Sequence, residues 1–114
     1  LSGEAGADRL FGDAANDTLY GGAGDDTLFG GSEADHLWGE DGNDELRGDA
    51  GLDTLSGGTG DDTLYGGIEA DSLAGDDGSD RLFGEDGLDT LVGGAGDDFL
   101  FGGNDADSLN GGLG

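Results

Sequence analysis

Residues 21–29 read GGAGDDTLF, residues 57–65 read GGTGDDTLY and residues 93–101 read GGAGDDFLF. These three stretches share one nine-residue pattern, and stepping outward from them in nines meets it everywhere. The chain divides into twelve consecutive blocks from Gly3 to Asn110 with no insertion or deletion, and residues 111–114 (GGLG) begin a thirteenth. Position one is always Gly, position six always Asp and position eight always Leu. A disordered acidic tail has no reason to place Leu at every ninth residue. A longer period lies over the short one: every fourth block is most alike, giving 36-residue units at 3–38, 39–74 and 75–110. The 114 residues form a single domain by length, and internal repetition makes it a stacked one.

The block has two halves. Positions one to six are rich in Gly, Asp and Asn, the residues that tolerate positive φ, and read as a turn. Asp or Glu replaces Gly at position two in six blocks, where Glu4, Glu40 and Glu85 fit less easily than Asp. Positions seven to nine read x-Leu-x, a three-residue strand with Leu on one face. Helix is excluded by a Gly in every block, each costing about 1 kcal/mol. So short a strand is stable only when units stack and their Leu residues form a file. Two blocks per turn would give six turns and a stack about 29 Å long at ~4.8 Å per layer.

Charge sets the partners. The chain carries 28 Asp plus Glu against three Arg and no Lys, for a net charge of −25. Nucleic acid and anionic membrane are excluded, since both need a basic patch. Multivalent cations suit so many carboxylates, and without them self-repulsion expands the chain. Cys is absent, which removes disulfides and thiolate metal sites. No apolar run is long enough for a signal peptide or a membrane span.

The pattern G-G-x-G-x-D-x-Leu-x resembles the RTX (repeats-in-toxin) calcium-binding nonapeptide. The resemblance implies an all-β fold, a right-handed parallel β-roll (a β-solenoid) with two nonapeptides per turn and about six turns here. It also implies calcium between successive loops along each edge. The position-six carboxylates implied as ligands are Asp8, Asp17, Asp26, Asp35, Asp44, Asp53, Asp62, Asp71, Asp80, Asp89, Asp98 and Asp107. The glycine turns that supply carbonyls begin at Gly3, Gly12, Gly21, Gly30, Gly39, Gly48, Gly57, Gly66, Gly75, Gly84, Gly93 and Gly102. Calcium takes six to eight oxygens, so carboxylates and carbonyls together suit it better than zinc or magnesium. Five gaps on each edge make room for up to about ten ions, whose charge would offset most of the −25. Binding and folding are then expected to be one event.

The two edges differ. Odd-numbered blocks keep Gly at position four and place Asp25, Asn43, Asp61 and Asp97 at position five, further candidate ligands. Even-numbered blocks place Leu52, Leu88 and several Ala there. Stronger calcium sites are expected on the odd edge, unless position six and backbone carbonyls suffice. Position nine of the odd blocks reads Phe11, Phe29, Arg47, Tyr65, Phe83, Phe101, an outward aromatic file interrupted once. It either stiffens the sheet by ring stacking or offers a docking surface.

No catalytic motif is visible, and the lone His36 sits at an outward strand position, so the chain is expected not to be an enzyme. The resemblance implies a calcium-responsive module of a secreted bacterial protein such as a toxin, protease, lipase or adhesin, exported by type I secretion. A structural or self-assembling solenoid (a surface layer, matrix or designed consensus roll), associating through its aromatic face or uncapped ends, is the alternative. Ice binding lacks the regular Thr file it would need at position three.

Overall fold

The computed structural model describes residues 1–114 and contains strands and turns but no helix. The strands are β1 Ser2–Ala5, β2 Arg9–Ala14, β3 Thr18–Ala23, β4 Thr27–Ser32, β5 His36–Asp41, β6 Glu45–Ala50, β7 Thr54–Thr59, β8 Thr63–Ile68, β9 Ser72–Asp77, β10 Arg81–Asp86, β11 Thr90–Ala95, β12 Phe99–Asn104 and β13 Ser108–Leu113. Odd-numbered strands form one seven-stranded sheet and even-numbered strands a six-stranded sheet, each in simple stacking order. All neighbours are parallel and offset by 18 residues, as in Leu28 opposite Leu46 and Leu46 opposite Leu64. One turn of the coil is therefore two blocks, and the chain is a β-solenoid of about six turns.

From β2 onward the strands are six residues long, not three. Each runs from position seven through position three of the next block, and only positions four to six turn. The reason lies in the glycines. Position two takes positive φ, 113° at Gly22 and 115° at Gly31, which bends the backbone yet leaves its amide and carbonyl facing the neighbouring layer. Pairing continues past the bend, as in Gly22 opposite Glu40 and Ala23 opposite Asp41. The turns are bonded between layers too: the Gly24 amide donates to the Asp41 carbonyl at 2.7 Å and the Thr27 amide to the Asp8 carbonyl at 2.9 Å. A coil whose every layer satisfies the next needs few tight turns of its own.

Between the sheets lies a single layer of Leu. Leu10, Leu19, Leu28, Leu37, Leu46, Leu55, Leu64, Leu73, Leu82 and Leu91 form the whole buried apolar core, with Leu100 packed against it. The slab is only 12 Å thick in its shortest dimension, two sheets with one shared layer of side chains.

The six acidic residues at position two share one strained conformation. Glu4, Glu40 and Glu85 sit at φ 75°, 77° and 80°, and Asp13, Asp49 and Asp76 at 71°, 73° and 75°. Glu is thus held there as firmly as Asp. The most strained side chain with positive φ is Ala15, at φ 100° and position four, where odd blocks carry Gly. Ala15→Gly is expected to stabilise the folded roll by roughly 1 kcal/mol, raising the melting temperature by about 4–8 °C. An unchanged or lower melting temperature would show that the backbone at this turn has relaxed.

Candidate metal centre

The position-six aspartates are the unusual feature of the interior. Asp26, Asp35, Asp44, Asp53, Asp62, Asp71, Asp80 and Asp89 are all at most 3% exposed. Each turns inward at the end of the three-residue corner, and its two oxygens meet different fates. Oδ1 accepts the amide of the equivalent Asp one turn earlier. On the odd edge the Asp26 amide donates to Asp44 at 2.7 Å and the Asp44 amide to Asp62 at 2.7 Å. On the even edge the Asp35 amide donates to Asp53 at 2.8 Å and the Asp53 amide to Asp71 at 2.9 Å.

Oδ2 has no donor. The Oδ2 atoms of Asp8, Asp17, Asp26, Asp35, Asp44, Asp53, Asp62, Asp71, Asp80, Asp89 and Asp98 are buried and make no hydrogen bond. Each points at the position-one Gly of its own block, beside the Gly carbonyl of the next turn. A methyl group added to Gly21 would lie 2.6 Å from Asp26 Oδ2 and 2.7 Å from the Gly39 carbonyl oxygen. At Gly30 the same methyl would meet Asp35 Oδ2 at 2.5 Å and the Gly48 oxygen at 2.9 Å. Only Gly leaves this space, and what surrounds it is oxygen. A carboxylate and a carbonyl converging without a donor is an arrangement that a cation relieves and nothing else in the chain does.

The chemistry of that donor set fits a hard cation with oxygen ligands. Nowhere do three His, Cys, Asp or Glu side chains converge. A bound ion would therefore be held by one buried carboxylate oxygen per turn, with backbone carbonyls completing the shell. The Asp and Gly positions marked in the sequence are the ones the fold brings together, with the exception that Asp107 and Gly102 have no next-turn glycine carbonyl beside them.

The position-five candidates behave differently. Asp25 Oδ1 accepts the Asn43 amide at 2.9 Å, Asn43 Oδ1 the Asp61 amide at 2.8 Å, and Asp61 Oδ1 the Ser79 amide at 2.9 Å. These exposed side chains form a second ladder along the odd edge, and Asp97 lines the cleft of about 740 Å³ beyond it, together with Asp62, Asp80 and Asp98. On the even edge Leu52 and Leu88 stand 61% and 63% exposed. The carboxylate-to-amide ladders were missed in the sequence. No residue of a single block signals them, since Asn43 serves the position-five ladder as well as Asp25 and Asp61 do.

Burial raises the pKa of the position-six carboxylates from Asp35 to Asp89, most in the middle of the stack. Desolvation lifts Asp44 and Asp53 to about 6 and Asp62 and Asp71 to about 7, against the opposing help of the amide each accepts. Both edges are affected alike. A folded-state pKa above the unfolded value means that the metal-free roll takes up protons on folding. Its stability is greatest below about pH 4 and falls as pH rises through 6 and 7. Circular dichroism of dilute protein in chelator is expected to show more β signal at pH 4 than at pH 8. A β signal that weakens on acidification would contradict the buried carboxylates.

The fold and its corners define a class: a parallel solenoid of glycine turns with a buried, donorless carboxylate oxygen at eleven of its twelve corners. The model of the RTX calcium-binding nonapeptide repeat matches four times, over residues 2–37, 20–55, 56–91 and 83–114, and the chain belongs to that family. No curated protein matches the chain.

Proposed function

We propose that residues 1–114 form one calcium-responsive folding module of a secreted bacterial protein, without catalytic activity of its own. The row of buried Oδ2 atoms facing glycine carbonyls supports this most directly. Metal-free, each such carboxylate keeps one buried oxygen, Oδ2, without a donor while the chain carries −25. About ten calcium ions would offset both costs, so ion binding and folding are coupled. The equal burial of position six on both edges favours loading of both, with the polar position-five ladder adding to the odd edge. Such a module stays unfolded where calcium is scarce, passes a type I export channel as a flexible chain, and folds outside. No helix is long and apolar enough to cross a membrane, and the family's occurrence in secreted proteins supports this destination.

Isothermal titration calorimetry in calcium and in magnesium tests the reading. Heat saturating near ten calcium ions per chain, with magnesium inert, is the expected result. Fewer than about two ions bound, or equal response to magnesium, would overturn it. A second reading, self-association as a structural solenoid, is favoured by the ring-stacked face of the six-stranded sheet.

A further inference from the structure

All 28 acidic residues except Glu45 lie at positions two to six, that is, on the edges and bends of the coil. The outward face of the six-stranded sheet is different. Its positions seven and nine carry all three Arg (Arg9, Arg47 and Arg81), a single carboxylate (Glu45) and six of the eight aromatic residues, while Asp13, Asp49 and Glu85 lie at the bends of the same strands. On a chain of net charge −25, positions seven and nine of this face hold more Arg than carboxylate and are rich in rings. Its rings are already ordered. Phe11 stacks on Phe29 with centroids 4.8 Å apart and planes 3° apart, and Tyr65 stacks on Phe83 at 5.1 Å. Arg47 does not break the file: its guanidinium lies 4.8 Å over the Tyr65 ring and is fixed by Glu45 at 2.7 Å. Arg9 and Arg81 form no ion pair within the chain, and Phe11, Phe99 and Phe101 remain 52–55% exposed.

We infer that this face binds a second copy of the chain, face to face, about a two-fold axis lying in the sheet plane. The residue order is self-complementary. With the axis along the strands, layers oppose in reverse order, so that Arg47 meets Tyr65 of the second copy, Phe29 meets Phe83, and Arg9 meets Phe99. With the axis along the stack, Arg9 meets Phe11, Arg81 meets Phe83 and Arg47 meets Glu45. In neither arrangement does Arg face Arg, and each free guanidinium gains a ring, a carboxylate or a hydroxyl. Contact through the loop edges would instead bring acidic residues together. The face is about 29 Å by 10 Å, well under the ~800 Å² per partner of a standard interface. The dimer is therefore weak, with a dissociation constant on the order of 100 μM. The inference rests on the calcium reading, because only a largely neutralised chain escapes long-range repulsion between copies.

Sedimentation equilibrium of the full chain in calcium, from about 10 μM to about 1 mM, tests it alongside circular dichroism. A monomer–dimer equilibrium is expected, weakened at least tenfold by Arg9→Glu with Arg81→Glu. These exposed residues have no ion-pair partner in the chain, so their replacement leaves the folded signal intact. Phe101→Ser weakens the dimer similarly, and Val92→Ser on the opposite sheet leaves it unchanged. A folded chain that stays monomeric throughout, a dimer indifferent to both face variants, or species that grow beyond the dimer would each overturn this inference alone. A chain with no β signal in calcium would overturn the calcium reading as well.

Discussion

Asp62→Asn is expected to act in opposite directions with and without calcium. In calcium it raises the ion concentration at the folding midpoint about tenfold, ~1.4 kcal/mol. In chelator at pH 8 it yields more β structure than the parent. The physical reason is the split role of the side chain. Asn keeps the Oδ1 that accepts the Asp44 amide at 2.7 Å, so the ladder survives. It replaces the donorless Oδ2 with an NH₂ group placed beside the Gly75 carbonyl. The buried charge that lifts the Asp62 pKa to about 7 is gone, which favours the metal-free roll. The same charge is what a calcium ion would be drawn to, so affinity falls. Calcium titrations followed by circular dichroism, with parallel spectra in chelator, give both numbers. A loss of structure under both conditions would mean that Asp62 is a plain structural residue.

Leu64→Ala is the second large effect, and it is independent of ions. Leu64 is fully buried, with Leu46 and Leu82 directly above and below it in register. The core is one side chain thick, so nothing behind the gap can move in to fill it. A loss of about 2–5 kcal/mol is expected, lowering the melting temperature in calcium by at least 10 °C. Leu109 occupies the same repeat position but is 48% exposed, and Leu109→Ala is expected to cost less than half as much. Equal losses at the two sites would show that the Leu file is not the core.

Much of this architecture was legible because one signal repeats. Leu at position eight of every block named the core residues, and the 18-residue layer follows from putting two blocks in a turn. The strand length was misread for a specific reason. Gly22 and Gly31 looked like turn residues by composition, whereas they bend a strand that stays paired, since a positive φ in one residue does not interrupt a ladder between identical layers. Arg47 looked like a break in the aromatic file, although a planar cation stacks on Tyr65 much as a ring would. At the sites, the identity of the Asp and Gly positions was readable but the division of labour between Oδ1 and Oδ2 was not. That division depends on which side of the corner the next turn presents its amide, a relation between layers that no single block encodes. The position-five residues show the same limit: Asp25, Asn43 and Asp61 were marked as ligands, and the fold gives each an amide to accept.

The central claim is that a cation completes this interior. Far-UV circular dichroism at pH 7.5 during a calcium titration, with a matched magnesium titration, tests it most directly. A cooperative change from coil to β signal in calcium, and none in magnesium, is what the buried Oδ2 row predicts. A full β signal already present in chelator would contradict it, and would mean that the Leu layer, the amide ladders and the stacked rings hold the roll without metal.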